Sequence, residues 1–97
     1  MTRIGVIGSL NMDLTATVPR FHAPGETLLG TSFSTFIGGK GCNQSVAAVR
    51  LGAEVLVVGK LGDDSNGFKY LEDLRIRGIR TDGIEIARGV STGVALI

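Results

Sequence analysis

Cysteine and histidine are almost missing from this sequence, with one of each among its 97 residues. Because a lone cysteine, Cys42, cannot form a disulfide within the chain, nothing points to an oxidising compartment. The single histidine, His22, stands in a turn-like stretch, and one residue of each kind cannot build a zinc site of the usual type. The sequence therefore predicts neither a disulfide-stabilised nor a zinc-stabilised domain, and it predicts no metal site.

Charge of one sign and long apolar stretches are also missing. The formal net charge is +1, and the ten basic residues are scattered along the chain. This distribution argues against binding to nucleic acid or to an anionic membrane surface. The apolar runs are far shorter than the roughly 20 residues of a membrane-spanning helix, and the opening MTRIGVIGSLNMD lacks the pattern of a signal peptide. We therefore expect a cytoplasmic protein without nucleic-acid or membrane partners.

Glycine, in contrast, is abundant, with 15 residues, about twice its usual share. A hydrophobic content of 43% and a charged content of 20% are typical of one small globular domain. The chain stops on TGVALI, an apolar strand-like run with no polar tail. Because a natural domain rarely exposes such an edge, we expect these residues to be the front part of a longer protein.

The apolar pattern predicts an α/β fold with at least one right-handed βαβ crossover. One helix is predicted at residues 42–51 and ends at Gly52, and a second begins near Asp64 and ends at Gly78. The buried stripe of the second helix is predicted to contain Phe68, Leu71 and Leu74. Strands are predicted at residues 3–9, 14–21, 27–37, 54–62, 78–89 and 91–97.

Asn11 and Asp13 follow the first predicted strand. In open α/β sheets, ligands bind beyond the carboxyl ends of the strands. A carboxylate accepts hydrogen bonds and an amide both donates and accepts them, so the pair suits a polyol with adjacent hydroxyl groups. An Asx turn leaving the strand explains the same two residues without any ligand.

The stretch FIGGKGCNQS, residues 36–45, carries three glycines and a lysine within four positions. It lacks the GxxxxGK[ST] order of a P-loop and the third glycine of a dinucleotide fingerprint. What remains is a clamp in which Gly38 and Gly39 offer bare backbone and Lys40 and Asn43 offer polar groups to one ligand. A helix entry that needs a positive φ, with Lys40 merely solvated, is the alternative.

For two further features we favour a structural role over a functional one. Asp63 and Asp64 could bind a metal ion, but the spacing of an EF-hand is absent and helix capping explains them better. Cys42, just inside a helix start, could have an acidified thiol, but a small packing residue is the simpler interpretation.

Taken together, these segments resemble the N-terminal part of the PfkB carbohydrate kinase family. The first family signature is represented at its proper spacing by Gly38, Gly39, Lys40, Gly41, Asn43, Ser45, Gly52 and Gly62. GSLNMD is similar to the opening sugar-binding segment, PGET to the turn before the flap, GDDSNG to the start of the second helix, and STGVALI to a lid strand. The resemblance covers essentially the whole chain and implies a parallel sheet with flanking helices plus a small β lid.

By this resemblance, Asn11 and Asp13 bind sugar hydroxyls, and Gly39, Lys40 and Asn43 of the clamp contact the other side of the sugar. The lid is expected at residues 14–37 and 82–97, covering the sugar and pairing with its copy in a homodimer. The family uses ATP, Mg²⁺ and a monovalent cation such as K⁺ to phosphorylate a sugar hydroxyl. The exact sequences GGKGCNQ and STGVALI resemble those of kinases that act on ribose, so ribose is the expected substrate, with fructose or a nucleoside as alternatives.

The second family signature, which carries the catalytic carboxylate, and the nucleotide site do not occur in these 97 residues. We therefore expect no catalytic residue, nucleotide site or metal site in this chain, and no kinase activity from it alone. The competing expectation is a non-catalytic module for folding, dimerisation or sugar binding.

Overall fold

Two three-stranded sheets and two helices make up the chain, and the computed structural model describes all of it, Met1–Ile97. The elements in chain order are β1 (Arg3–Ile7), β2 (Asn11–Thr17), β3 (Ser32–Gly38), α1 (Lys40–Arg50), β4 (Glu54–Gly62), α2 (Ser65–Ile76), β5 (Arg80–Ala87) and β6 (Val94–Leu96). The predicted α/β class is confirmed.

The first sheet has the strand order β1-β4-β5, and its neighbouring strands run parallel. Helix α1 leads into β4, and α2 connects β4 to β5. Because both crossovers step across the sheet in the same direction and right-handed crossovers are the rule, both helices cover the same face. Val55, Val57, Tyr70 and Leu74 form the centre of the core under these helices, and all four are 0% exposed.

The second sheet, which we call the lid sheet, has the order β3-β2-β6. Strand β2 pairs antiparallel with β3 and parallel with β6. The hairpin arms are shorter than predicted, because residues 18–31 contain no strand and Pro19 follows soon after the end of β2. The prediction that the flap strands form a separate small sheet is confirmed.

The prediction that the lid includes residues 82–97 is wrong for β5. Ile84 of β5 pairs with Gly59 of β4, so this strand belongs to the first sheet, and only β6 joins the lid sheet. Strand β5 follows α2 after a short turn, and the crossover returns it beside β4. The alternation of apolar and polar residues predicts a strand but does not specify which of two sheets will receive it.

Helix α1 begins at Lys40, two residues earlier than predicted, and Gly52 with φ +94° ends it as expected. In α2, Asp64 is the N-cap and accepts a hydrogen bond from the Gly67 N–H at 2.9 Å, as predicted. Phe68, however, is 56% exposed rather than buried. The buried stripe instead consists of Gly67, Tyr70, Leu71 and Leu74. Phe68 is one residue past Gly67, so it is turned about 100° away from that stripe.

Neither helix has the length and apolar character that crossing a membrane requires.

Candidate functional site

The loop after β1 and the start of α1 touch backbone to backbone. A β-carbon on Gly8 would lie 2.8 Å from the Cα atom of Gly41, which is closer than side chains come in proteins. The Gly41 N–H donates to the Ser9 carbonyl at 3.0 Å, and the Lys40 N–H donates to Ser9 Oγ at 3.1 Å. These bonds satisfy N–H groups that a helix start leaves without partners. The carboxyl end of β1 is thereby held against the glycine run.

Asn11 and Asp13 lie on one face of β2, because alternate residues of a strand point to the same side. Asn11 Nδ2 donates a hydrogen bond to Asp13 Oδ1 at 2.8 Å, and both side chains are half-buried. The alternative of an Asx turn is wrong here, because these residues open a strand. Asp13 accepts only this one hydrogen bond within the chain, so most of its acceptor capacity is available to a ligand.

Gly38 and Gly39 lie directly against this polar pair. A β-carbon on Gly38 would lie 2.5 Å from Asp13 Oδ2, because Gly38 is the cross-strand partner of Asn11. Gly39 has φ +95°, and a β-carbon there would lie 3.0 Å from Asn11 Oδ1. The alternative of a helix entry with a positive φ is confirmed for Gly39, and the missing side chain of Gly38 allows the Asp13 carboxylate to approach. That the run also clamps a ligand stays a prediction.

The two polar members of the predicted clamp are on the first turn of α1. Lys40 and Asn43 are both exposed, and neither side chain forms a hydrogen bond with Asn11 or Asp13. Asn43 lines a cavity of about 230 Å³ on the flank of α1, between Ile37 and the end of α2. The structure thus joins Gly38 and Gly39 to the Asn11–Asp13 pair, whereas Lys40 and Asn43 stand beside it.

A buried tyrosine of α2, which the sequence analysis missed, is hydrogen-bonded to the backbone of the glycine run. Tyr70 is 0% exposed, and its hydroxyl donates to the Gly38 carbonyl at 2.5 Å. Burial raises the pKa of Tyr70 far above its usual range, so the phenol stays protonated and remains a donor. The available signal was a tyrosine in an otherwise apolar helix stripe, since a buried phenol needs a hydrogen-bond partner.

Cys42 belongs to the same buried layer and is 1% exposed. Burial, as the largest cause, raises the pKa of its thiol, which is opposite to the acidified thiol considered above. The interpretation of Cys42 as a packing residue is confirmed.

Asp64 connects the start of α2 to the segment that precedes β6. Besides capping the helix, it accepts hydrogen bonds from the Thr92 N–H at 3.0 Å and from Thr92 Oγ1 at 2.6 Å. Thr92 Oγ1 in turn accepts from the Gly62 N–H at 3.0 Å. The hydrogen bond from the Thr92 hydroxyl is the largest cause that lowers the pKa of Asp64. Capping is therefore confirmed as the role of Asp64, and no group of three metal-ligating side chains forms in the chain.

The whole of this arrangement, residues 1–97, matches the family model described as pfkB family carbohydrate kinase. The chain belongs to this family. It is 52% identical over 97 residues to a ribokinase of Bacillus subtilis (strain 168), covering 100% of this chain and 33% of that protein. It is 40% identical over 94 residues to a deoxyribokinase of Salmonella typhi, covering 97% of this chain and 31% of that protein.

Among solved structures, the chain is similar to an Arabidopsis thaliana ribokinase complexed with ribose and ATP. The TM-score is 0.85 at 31% sequence identity, over 99% of this chain and 32% of that one. The carbohydrate kinase family inferred from the sequence motifs is thus confirmed. The chain spans about a third of the length of the relatives it matches.

Proposed function

We propose that this chain forms the sugar-binding and lid part of a ribokinase, which transfers the γ-phosphoryl group of ATP to a hydroxyl of D-ribose. The observation that carries the proposal is the position of the Asn11–Asp13 pair against the glycine backbone, with the Asp13 carboxylate beside Gly38 and the Asn11 amide oxygen beside Gly39. The identity of 52% with a ribokinase favours ribose as the sugar.

The chemistry of the pair suits two adjacent sugar hydroxyls. Each hydroxyl can donate to a carboxylate oxygen of Asp13, and Asn11, already oriented by its own hydrogen bond to Asp13, offers a carbonyl oxygen beside it. Gly39 has no side chain of its own, so the sugar can come close to its backbone beside the Asn11 amide oxygen. Lys40 and Asn43 complete the clamp in this proposal by reaching the sugar from the first turn of α1.

Phosphoryl transfer depends mainly on positioning and on stabilisation of the charge that spreads over the phosphate oxygens. In this proposal the chain supplies the positioning of the sugar. The chain contains no group of three His, Cys, Asp or Glu side chains that could hold a metal ion. In this proposal the nucleotide, both cations and the proton-accepting carboxylate belong to parts of the protein outside these 97 residues, and we assign no catalytic role to Asp13.

We also propose that the protein forms a homodimer through the lid sheet. Strands β3 and β6 are the two edges of that sheet, and each can pair with another strand. On the face opposite Asp13, Phe33 is 66% exposed and Leu96 is 82% exposed, so an apolar surface is available to a second copy. Light scattering of the complete gene product should give twice the monomer mass, and a purely monomeric species would contradict this.

The test of the sugar site is Asp13→Ala in the complete gene product, with ribose binding measured by calorimetry and phosphorylation by a coupled assay. Hydrogen bonds to a charged group contribute about 1.5–3 kcal/mol each, so loss of two should weaken ribose binding at least about 100-fold. Asp82→Ala, which removes an exposed carboxylate of β5 that bonds Arg80, is the matched control. An unchanged ribose affinity in Asp13→Ala would contradict the site.

The same assay separates the candidate functions. The similarity to a deoxyribokinase makes 2-deoxyribose the second candidate substrate, and fructose and adenosine complete the panel. The 97 residues alone should give no turnover with any of them. Turnover by this chain alone would show that catalysis does not need the remaining parts, and sugar binding without phosphorylation by the complete gene product would favour a non-catalytic module.

A further inference from the structure

Asp13 is the middle member of a row of three side chains across the lid sheet. Its cross-strand partner on β3 is Phe36, and its partner on β6 is Ala95. Directly opposed residues in neighbouring strands point to the same face, with β-carbons about 4.5–5.5 Å apart. The face that carries the carboxylate therefore carries an aromatic ring on one side and a methyl group on the other.

The exposure of Phe36 has no explanation in the packing of the chain. Phe36 is 57% exposed, whereas its neighbour Ile37, on the other face, packs against the core. An exposed single apolar residue is ordinary, but this one stands next to a carboxylate with unused acceptor capacity. A ring at this place lies on the same face as the carboxylate and beside it.

We propose that Phe36 is a sugar-binding residue, which forms an apolar wall for the sugar beside Asp13. The inference rests on the proposed function and deepens it. A sugar ring has hydroxyl groups at its rim and C–H groups on its two faces, so it needs both polar and apolar contacts. The carboxylate binds the rim, and the phenyl ring, which offers a large apolar surface, covers C–H groups and excludes water from the hydrogen bonds.

This arrangement also predicts how the loss of Phe36 differs from the loss of Asp13. Phe36 contacts carbon-bound hydrogens rather than hydroxyl groups, so its removal should weaken ribose and 2-deoxyribose by similar factors. Asp13→Ala should weaken both sugars much more, because it removes the acceptor for their hydroxyls. The affinity for ATP should stay unchanged in both variants.

The experiment compares Phe36→Ala with Phe68→Ala in the complete gene product. The two rings have similar exposure, 57% and 56%, but Phe68 is on α2, outside the lid sheet. We expect Phe36→Ala to raise the KM and Kd for ribose roughly three- to tenfold. Phe68→Ala should leave the Kd within about twofold, and Phe36→Tyr, which keeps the ring, should bind ribose as the parent does.

Each outcome decides the matter. Equal effects of Phe36→Ala and Phe68→Ala, or an unchanged ribose Kd in Phe36→Ala while Asp13→Ala loses binding, would overturn the role of Phe36 alone. An unchanged ribose Kd in Asp13→Ala would overturn the sugar site itself. A change of oligomeric state in Phe36→Ala without a change in the Kd would assign the ring to contacts between copies and not to the sugar.

Discussion

Two connections join the lid sheet to the body of the chain, and they are built in opposite ways. The glycine junction, formed by Gly8 and residues 38–41, brings backbone against backbone with no side chain between. The acid junction, formed by Asp64 and Thr92, is a network of side-chain hydrogen bonds. Both come from sequence clusters of glycine and polar residues, GGKG and GDDSNG, which look alike as patterns.

The two junctions differ in how many hydrogen bonds their carboxylates, Asp13 and Asp64, accept from other atoms of the chain. Asp64 accepts hydrogen bonds from the Gly67 N–H, the Thr92 N–H and the Thr92 hydroxyl, so it has little capacity left for a ligand. Asp13 accepts one hydrogen bond, from Asn11, and no chain atom binds its Oδ2. A satisfied carboxylate favours a structural role, whereas our proposed sugar site uses the open acceptor capacity of Asp13 beside the glycine backbone.

The largest effect is expected from Gly38→Ala at the glycine junction. Its β-carbon would lie 2.5 Å from Asp13 Oδ2, so the carboxylate must move and the strand pairing around it must adjust. We expect ribose binding by the complete gene product to fall more than about 100-fold, since misplacing a charged acceptor removes the same bonds as deleting it. Calorimetry with ribose measures the loss.

Gly5→Ala is the matched control for this change. A β-carbon on Gly5 would meet nothing within 4 Å, and the residue is in β1 of the first sheet. It should bind ribose like the parent protein. If Gly38→Ala bound ribose equally well, the close approach of Asp13 to the glycine backbone would be irrelevant to the ligand.

A smaller effect is expected from Tyr70→Phe, which removes the support below the glycine junction. The Gly38 carbonyl would lose its buried donor, and an unsatisfied buried group costs about 1–3 kcal/mol. We expect the free energy of unfolding to fall by about that amount in urea titrations of the complete gene product. Ribose affinity should fall only a few-fold, because the Asp13 carboxylate and the bare backbone of Gly38 both remain.

Leu71→Val, a conservative change in the same helix stripe, separates loss of the hydroxyl from loss of packing. It should lower the free energy of unfolding without changing ribose affinity.

Much of this could be predicted from the sequence, because it depends on local order along the chain. Asn11 and Asp13 follow a strand end, and Gly38 and Gly39 precede a helix, so ligand-binding chemistry could be proposed for both before their distance was known. Tyr70 could not be linked to Gly38, since 32 residues separate them and their contact depends on how α2 packs. Phe36 required the register of β2 and β3, which alternation alone does not fix.

The smallest effect on ribose is expected from Asp64→Ala at the acid junction, which should affect stability instead. The variant loses the helix cap and the bonds to Thr92, so we expect a melting temperature about 4–8 °C lower. Hydrogen bonding lowers the pKa of Asp64 in the folded chain below its ordinary value of 3.8. This carboxylate therefore stabilises the fold fully above the ordinary pKa and loses its contribution as the pH falls from there through the lower pKa of the folded chain. The difference in melting temperature between the parent protein and Asp64→Ala should therefore narrow below about pH 4.

Asp63→Ala, which removes only an exposed hydrogen bond from the Gly89 N–H, is the control. It should show neither the lower melting temperature nor its dependence on pH. If Asp64→Ala weakened ribose binding as strongly as Asp13→Ala, the two junctions would be functionally alike, and the number of satisfied acceptors would not distinguish structure from binding.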